Sequence, residues 1–277
     1  MPEARPFEHV IVLDFEATCE RGAAPTPQEV IEFPSVLVSL RERAITGSFA
    51  SFVRPVHHPR LSEFCRQLTS IRQEDVDAAP AFPEVLTSHQ AWLAAHGLDA
   101  GNAAFVTCGD WDLVSMLPRQ CAASGIAVAG LPAIYRRWIN VKPVFTSKVR
   151  RSRSHGMAAM LSALKLKLEG THHRGIDDCR NIARIVLALL ELGADFERPG
   201  AFVKELPPAL HPLAVELVWG DRSVSTTIER RALALVVERA SALFGSRITE
   251  VVAADGVVIG GDRQLLDLAD GARLLVR

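Results

Sequence analysis

The chain has 277 residues, of which 48% are hydrophobic, 23% charged and only 6% aromatic. This supply of apolar residues suffices for a full core, so the composition excludes disordered, collagen-like and low-complexity proteins. The five cysteines form no CxxC pair, which argues against a disulfide scaffold and against a zinc ribbon. No apolar run approaches the length of a membrane span, and no apolar leader follows the charged first residues. We therefore expect a reduced, cytoplasmic protein that makes no membrane contact.

The net charge is only −1, but the positive charge is unevenly distributed. The stretch between Asp112 and Glu169 contains no aspartate or glutamate. Its basic residues are Arg119, Arg136, Arg137, Lys142, Lys148, Arg150, Arg151, Arg153, Lys165 and Lys167. Such a region favours contact with a phosphodiester backbone. A solvated positive face that balances acidic residues elsewhere explains the pattern equally well, so charge alone leaves both interpretations open.

Hydrophobic periodicity predicts an α/β fold for the larger, N-terminal part of the chain. Apolar, β-branched runs predict strands over residues 9–14, 30–40, 48–53 and 103–107. Apolar residues at helical spacing predict helices over residues 82–96, 112–122, 157–168 and 178–192. Strands followed by alternating strands and helices are typical of a sheet flanked by helices.

The proline-rich stretch Leu206–Pro212 predicts a linker to a second, smaller domain. The expected elements beyond it are strand, strand, helix and further strands, over residues 213–219, 223–229, 232–244, 248–253, 257–259 and 273–276. This order resembles a ubiquitin-like β-grasp unit at the level of architecture. We therefore expect one domain over residues 1–205 and a small α+β domain over residues 206–277. The small domain is either an interaction module that binds a protein partner through residues 209–277, or a lid over an apolar face.

Acidic residues recur at the ends of predicted elements. Asp14 and Glu16 close the first strand, and residues i and i+2 of a strand share a face. Two such carboxylates repel each other unless a cation lies between them. Asp112 follows the strand over residues 103–107, and Asp178 opens the last helix of the larger domain. Three acidic segments in this order suit a two-metal phosphodiesterase, because Mg²⁺ prefers carboxylate oxygens and two ions stabilise both reacting oxygens.

Four motifs carry a resemblance to a known family. They are Asp14-Phe-Glu-Ala-Thr-Cys19, Glu29-Val-Ile-Glu-Phe-Pro34, Val106-Thr-Cys-Gly-Asp-Trp-Asp112 and His172-His-Arg-Gly-Ile-Asp-Asp-Cys-Arg-Asn-Ile-Ala183. In this order they resemble the DEDDh 3′→5′ exonucleases, and within those the branch of the histone-mRNA and enhanced-RNAi exonucleases. The stretches Leu61–Gln73 and Trp138–Asn140 also fit that branch, so the similarity covers residues 8 to 193. The resemblance implies an RNase H-like, DnaQ-like mixed sheet flanked by helices.

The resemblance also implies roles for single residues. It makes Asp14, Glu16, Asp112 and Asp178 the metal-binding acids for two Mg²⁺ or Mn²⁺ ions. It makes His173 the general base that takes a proton from the attacking water. Ala17, Thr18 and Cys19 are expected to meet the terminal nucleotide. Independently of the resemblance, the charge pattern makes Arg150, Arg151 and Arg153 of the acid-free stretch the residues expected to guide the nucleic-acid strand.

Two neighbouring acids and a second histidine compete for these roles. Asp110 lies two residues before Asp112, but the family's aspartate follows the aromatic residue, which favours Asp112. Asp177 is interpreted as the N-cap of the last helix of the larger domain. His172 is interpreted from its spacing as a neighbour of the base His173.

Other residues near the motifs are assigned structural roles. Glu32 is expected to brace the strand pair beside the site. Cys19, Cys108 and Cys179 lie beside acidic motifs, but small buried thiols explain them better than zinc or redox chemistry does. Trp111 and Trp138 are able to stack on bases, although core packing is the favoured interpretation for both.

The implied function is a metal-dependent 3′→5′ exonuclease that releases nucleoside 5′-monophosphates from single-stranded nucleic acid, with RNA preferred over DNA. A proofreading or repair exonuclease acting on DNA is the first alternative. A nucleic-acid-binding regulator without turnover is the second. The cellular substrate, the choice between Mg²⁺ and Mn²⁺, and the oligomeric state do not follow from the sequence.

Overall fold

A computed structural model describes residues 6–22, 24–149, 156–206, 213–228, 233–254, 258–260, 265 and 272–277. Arg150, Arg151 and Arg153 lie outside these residues, as does most of the expected linker. The chain divides into two compact units. One comprises Met1–Gly125 and Pro132–Glu205, and the other comprises Ile126–Leu131 and Leu206–Arg277. In the described part of the chain, no helix combines the length and the apolar character needed to cross a bilayer.

The first unit is built from short strands and helices. The strands are β1 (His9–Leu13), β2 (Glu16–Ala17), β3 (Val30–Ser39), β4 (Ala44–Phe52), β5 (Ala103–Thr107), β6 (Arg137–Asn140) and β7 (Val203–Glu205). The helices are α1 (Glu63–Thr69), α2 (Gln73–Asp77), α3 (Phe82–Ala95), α4 (Leu117–Ala123), α5 (Val141–Lys148), α6 (Met157–Ala163) and α7 (Gly175–Glu191). A π-helical turn, Asp112–Met116, leads directly into α4.

These strands form one mixed sheet in the order β4-β3-β1-β5-β6-β7, with β2 also hydrogen-bonded to β3. The central strands β1, β5 and β6 are parallel, whereas β3, β4 and β7 run antiparallel to their neighbours. The carboxyl ends of the three parallel strands therefore meet at one edge, which is where α/β sheets usually carry their functional residues. The mixed sheet confirms the predicted α/β fold.

Helices cover both faces of the sheet. Val12 belongs to a core cluster with Ile182 of α7. The rings of Phe33 and Phe105 stack on His89 of α3, on the other side. This division follows from the alternation of side chains along a strand, which sends successive residues to opposite faces. The sheet is thus buried on both faces, and polar side chains are expected at the edge where the carboxyl ends of β1, β5 and β6 meet.

His89 is a core residue that solvent does not reach. Its ring nitrogens lie 2.9 Å from Ser35 Oγ and 2.6 Å from Tyr135 Oη. Burial lowers the pKa of His89 to about 3, so the ring stays neutral at physiological pH. Both of its polar atoms are satisfied inside the core, as buried polar groups require.

The structure differs from the predicted elements in several places. The helix predicted over residues 157–168 ends at Ala163, because Lys165 adopts a left-handed backbone conformation with φ +58°. Helix α7 begins at Gly175, three residues earlier than predicted. Strands β2, β6 and β7 and helices α1, α2 and α5 were not predicted as elements. They are two to eight residues long, which leaves little periodicity to detect.

The second unit contains a smaller sheet and a helix. Its elements are β8 (Leu213–Trp219), β9 (Arg222–Ile228), α8 (Leu233–Phe244), β10 (Val251–Ala253) and β11 (Ala272–Val276). The sheet order is β10-β11-β8-β9, with β8 and β11 parallel at its centre. Of the strand predicted over residues 257–259, the structure describes Val258 as a single bridge to Val252. A small α+β unit is therefore present, and its identification as ubiquitin-like stays a prediction.

Candidate active site

The first two acids lie where β1 ends and β2 begins. Asp14 follows β1, and Glu16 starts β2, where its Cα pairs with that of Glu32. One carboxylate oxygen each of Asp14, Glu16 and Asp178 lie within 4.8 Å of one another. The structure thus brings together two acids that are neighbours in sequence and a third from the last helix of the unit.

Asp112 joins this group through a backbone hydrogen bond. Its Oδ1 accepts the N–H of Phe15 at 2.9 Å, although 97 residues separate the two. Asp112 also begins the π-helical turn after β5, and its side chain is buried. Such π-helical turns are frequent at functional sites. The predicted site residue Asp112 is therefore held directly beside the segment that carries Asp14 and Glu16.

Asp178 is fixed from the loop that precedes α7. Its Oδ2 accepts the backbone N–H of His173 at 2.8 Å. His173 adopts a left-handed backbone conformation with φ +64°, which is uncommon for a residue with a side chain. The hydrogen bond to Asp178 supports this conformation. Asp178 is buried, whereas the His173 ring is exposed, so the predicted general base lies at the mouth of the acidic cluster.

The pKa values of these buried acids are raised above their ordinary values. Burial, followed by the charges of Asp112 and Asp178, raises the pKa of Asp14. Burial and the charge of Asp14 raise the pKa of Glu16 to about 10. Burial raises the pKa of Asp112 to about 6, against the hydrogen bond from Phe15. Burial is the largest cause of each shift, because it removes the water that stabilises a carboxylate, and repulsion from neighbouring acids adds to it at Asp14 and Glu16.

The cluster has little positive charge of its own. Lys142 lowers the pKa values of Asp14 and Asp112, but burial outweighs it. Across the described residues, no lysine or arginine forms an ion pair with Asp14, Glu16 or Asp112. A crowded, buried set of carboxylate oxygens without counter-ions fits hard divalent cations, which would return the acids to their ionised form.

Glu32 is a further buried carboxylate at this place, and it has a bracing role. Its Oε2 accepts the N–H of Gly175 at 3.0 Å, and its Oε1 lies 3.3 Å from Arg174 Nε. The Arg174 guanidinium also lies over the Phe52 ring, 4.4 Å from its centre. Glu32 therefore joins β3 to the start of α7, which extends the predicted bracing of the strand pair.

Gly175 is a functional position whose role the sequence did not reveal. A Cβ at this residue would lie 2.9 Å from the backbone oxygen of Asp14 and 2.9 Å from Pro34 Cγ. No side chain fits there without moving the backbone that carries Asp14. The glycine thus allows the first turn of α7 to approach the end of β1, and this approach brings Asp178 to the cluster.

The Asp110 carboxylate is bound by three other side chains of the first unit. Its Oδ1 accepts hydrogen bonds from Trp138 Nε1 at 2.9 Å and from Asn140 Nδ2 at 3.1 Å. Its Oδ2 accepts one from Lys204 Nζ at 2.6 Å. Asp110 therefore ties the end of β5 to β6 and β7, and it leaves Asp112 for the acidic cluster.

The prediction that Asp177 caps α7 is wrong. The N-cap position belongs to Arg174, and Asp177 lies in the first turn of the helix. The Asp177 carboxylate accepts the N–H of Thr171 at 3.0 Å and forms an ion pair with Arg180 at 3.3 Å. It therefore folds the preceding loop back onto the helix instead of capping it. The helix starts earlier than the sequence suggested, because Glu32 binds its first N–H groups from outside.

The residues expected to meet the terminal nucleotide differ in accessibility. The side chains of Ala17 and Thr18 are buried, and the Thr18 hydroxyl accepts the N–H of Glu29 at 2.9 Å. Cys19 is partly exposed, and its carbonyl accepts the Ser62 hydroxyl at 2.7 Å. Within this trio, Cys19 is the residue with partial exposure, and its side chain packs against a core cluster that includes Leu61 and Cys65.

The two tryptophans have opposite environments. Trp138 is 1% exposed and packs in the core, as predicted. Trp111 is 39% exposed, so the prediction of core packing is wrong for this residue. The cause is the start of the π-helical turn, which directs Asp112 inward and its neighbour Trp111 outward.

The cysteines beside the acidic motifs are free thiols. Burial raises the pKa of Cys108 to about 12 and raises that of Cys179 as well. Thiols with raised pKa values stay protonated at neutral pH, and zinc binds the thiolate form. The environment of Cys108 and Cys179 therefore favours small packed thiols over a zinc site.

Known proteins share this fold and these motifs. The exonuclease family RNase_T matches residues 11–186. ERI1 exoribonuclease 3 from Homo sapiens is 41% identical over 194 residues, which cover 69% of this chain and 56% of that protein. The 3′-5′ exonuclease Snipper from Drosophila melanogaster is 34% identical over 220 residues, 74% of this chain and 75% of that protein. The chain spans about half the length of ERI1 exoribonuclease 3 and of the mammalian 3′-5′ exoribonuclease 1 proteins.

A solved structure agrees with these matches. The nuclease domain of 3′hExo, a DEDDh family member bound to rAMP, superposes with a TM-score of 0.64 at 35% identity. The match covers 68% of this chain and 94% of that domain. A mixed sheet whose edge gathers these acids and an exposed histidine defines a nuclease of the DEDDh class, a class that depends on divalent metal ions. The chain belongs to the RNase_T exonuclease family.

The raised carboxyl pKa values predict how stability depends on pH without metal. Glu16 has an ordinary pKa of 4.5 and a folded pKa of about 10, so the folded protein holds a proton that the unfolded chain releases between these values. Stability therefore falls as the pH rises through this range. We expect the melting temperature in chelator to fall from pH 5 to pH 8.5, and Mg²⁺ or Mn²⁺ to restore it at the upper end.

The variant Glu16→Gln isolates this effect, because it keeps the shape of the side chain and removes its ionisation. Its melting temperature is expected to depend less on pH than that of the wild type. Glu42→Gln, at an exposed position, is the matched control and is expected to follow the wild type. An equal pH dependence in Glu16→Gln and wild type would contradict the crowding of charge around Glu16.

Proposed function

We propose that the chain is a metal-dependent 3′→5′ exonuclease that acts on single-stranded RNA and releases nucleoside 5′-monophosphates. The observation that carries the proposal is the convergence of Asp14, Glu16, Asp112 and Asp178 beside the exposed His173. The relative named an exoribonuclease and the similar domain bound to rAMP support RNA as the substrate.

The acidic cluster would hold two Mg²⁺ or Mn²⁺ ions. Asp14, Glu16 and Asp178 offer oxygens that lie within 4.8 Å of one another, and Asp112 adds a carboxylate that is hydrogen-bonded to the N–H of Phe15, next to Asp14. When bound, two such ions supply the positive charge that stabilises the attacking and the leaving oxygens of phosphodiester hydrolysis. Backbone N–H groups fix Asp112 and Asp178 in place, so these acids need little reorganisation on binding.

His173 is suited to take the proton of the attacking water. Partial burial and the neighbouring His172 lower the pKa of His173, which keeps its ring neutral and able to accept a proton at neutral pH. Its ring is exposed, so substrate and water reach it. Its backbone N–H is bound to Asp178, which ties the position of the base to that of a metal-binding acid.

The strand of nucleic acid would approach over exposed and positive residues near the cluster. Trp111 adjoins Asp112 and is 39% exposed, which suits stacking on a base. Lys142 lies close enough to Asp14 and Asp112 to lower their pKa values. The acid-free region continues this positive charge with Arg150, Arg151 and Arg153, which we propose as backbone-guiding residues.

Removing one acid tests the proposal. We expect Asp14→Asn to abolish hydrolysis, because it withdraws a metal-binding oxygen. The variant should keep the fold, because it also relieves repulsion in the cluster. The measurement uses 5′-labelled single-stranded RNA and DNA of one sequence, with Mg²⁺, Mn²⁺ or chelator. Products that shorten from the 3′ end are expected only with metal, and faster on RNA.

Other results of this experiment would favour the alternatives. Faster degradation of the DNA strand would indicate a DNA-acting exonuclease. Binding of either strand without cleavage under any metal would indicate a nucleic-acid-binding regulator. Normal turnover by Asp14→Asn would contradict the assignment of the metal-binding acids. Asp99→Asn, in an exposed turn away from the cluster, serves as the matched control.

Removing the base tests the role of His173. His173→Ala is expected to lower kcat by about a hundredfold at neutral pH, the usual contribution of a general base. The acid limb of the pH–rate profile should disappear with it, because the titrating ring is gone. A variant that kept the wild-type profile would exclude His173 as the base.

The second unit is proposed to be an interaction module for a protein partner. Its own buried core, which includes Val215, Val236 and Leu274, supports an independent unit. Truncation after Glu205 is expected to retain exonuclease activity and to lose association with the partner in a pull-down. An insoluble or inactive truncated protein would instead indicate a structural role for residues 206–277.

A further inference from the structure

His172 lies at the acidic cluster, although the family resemblance gives it no role. Its Nδ1 is 3.1 Å and 3.2 Å from the two carboxylate oxygens of Asp178. Its ring stacks on that of His173, with centres 4.0 Å apart and planes inclined by 13°. Two imidazoles and one carboxylate thus converge at the exposed side of the site.

The backbone explains how consecutive histidines face the same way. Neighbouring side chains of an extended strand point to opposite sides. The left-handed conformation of His173, with φ +64°, turns the chain so that the two rings lie side by side. The N–H of His173 donates to Asp178 Oδ2 at 2.8 Å and lies 3.0 Å from His172 Nδ1, which holds the turn in place. The pair of imidazoles is therefore built into the loop before α7.

The donor atoms at this place form two overlapping sets. Ligand atoms of His172, His173 and Asp178 all lie within 4.8 Å of one another, and so do those of Asp14, Glu16 and Asp178. Carboxylate oxygens suit Mg²⁺ and Mn²⁺, whereas imidazole nitrogens suit Zn²⁺ and neighbouring transition metals. The two sets share Asp178, so the same carboxylate serves a hard-ion site on one side and a nitrogen-rich site on the other.

We propose that His172, His173 and Asp178 form a Zn²⁺ site that competes with the catalytic metal ions and inhibits the enzyme. Three protein ligands and one open position are a coordination that zinc adopts readily. Zinc bound there would engage a ring nitrogen of His173, the proposed base, and a carboxylate oxygen of Asp178, a proposed ligand of the catalytic ions. The binding stands on the geometry of these three residues alone, while the inhibition rests on the proposed function.

Direct binding tests the site without reference to activity. The full-length protein, free of other metals, is titrated with Zn²⁺ by calorimetry and with Co²⁺ as a visible-absorbing probe. Loss of one imidazole is expected to weaken zinc binding by about tenfold or more, so His172→Asn should show this loss and a weaker Co²⁺ absorption band. His57→Asn, an exposed histidine in another loop, is the matched control. Equal affinities of His172→Asn and wild type would overturn the proposal.

Inhibition tests the overlap with the catalytic ions. RNA hydrolysis in Mg²⁺ is measured against increasing Zn²⁺, each protein relative to its own uninhibited rate. The half-inhibiting zinc concentration is expected to rise about tenfold in His172→Asn. It should also rise with Mg²⁺ concentration in the wild type, because both ions require Asp178. Equal inhibition of wild type and His172→Asn would overturn the overlap. If no metal supports hydrolysis, the proposed exonuclease fails while the binding titration still decides the zinc site.

Discussion

Hydrogen bonds between carboxylates and backbone N–H groups of distant segments hold the site together. Asp112 accepts from Phe15, Asp178 accepts from His173, and Glu32 accepts from Gly175. Two of these bonds connect segments that are 97 and 143 residues apart. A charged acceptor makes a stronger hydrogen bond than a neutral one. The acids therefore join distant segments of the chain by hydrogen bonds, and some of them are also the candidate metal ligands.

This arrangement explains why the repulsion among the acids is tolerated. Burial raises the pKa of Asp14 and takes that of Glu16 to about 10, which opposes folding when both are ionised. The core that surrounds them resists the repulsion, since helices cover the sheet on both faces. Repulsion among buried carboxylates at this edge of the sheet destabilises the metal-free fold. Bound cations would remove that repulsion, so the arrangement suits a cation-binding site.

The sequence predicted the parts of this site that depend on local pattern. Strand β1 followed from its apolar run, and the i, i+2 spacing placed Asp14 and Glu16 on one face. Contacts between segments that are far apart in the chain leave no periodic pattern in the sequence. Asp112 and Asp178 were therefore placed with Asp14 and Glu16 by the resemblance to a known family. What the sequence missed depends on close contact between distant segments. Gly175 is required by the approach of two backbones, and nothing near it in sequence reveals this.

The errors of prediction have related causes. Asp177 looks like a cap, but Glu32 supplies a hydrogen bond to the start of α7 from β3, and so the helix begins earlier. Trp111 was predicted to pack in the core, but Asp112 points inward at the start of the π-helical turn, and Trp111 therefore lies at the surface. Helix α6 looks longer, but the left-handed Lys165 ends it. In each case a tertiary contact or a single backbone angle overrides a reasonable local preference.

The loop before α7 links these constraints to metal selectivity. The proposed general base must lie beside a metal-binding acid, and the N–H of His173 donates to Asp178, the acid proposed for that role. The backbone angle that makes this bond also aligns the ring of His172 with that of His173. An imidazole pair beside a carboxylate attracts softer ions than a set of carboxylates does. The geometry that positions the proposed base therefore also brings a second imidazole to Asp178, and we propose that the residue at position 172 sets how strongly the site discriminates against a competing metal.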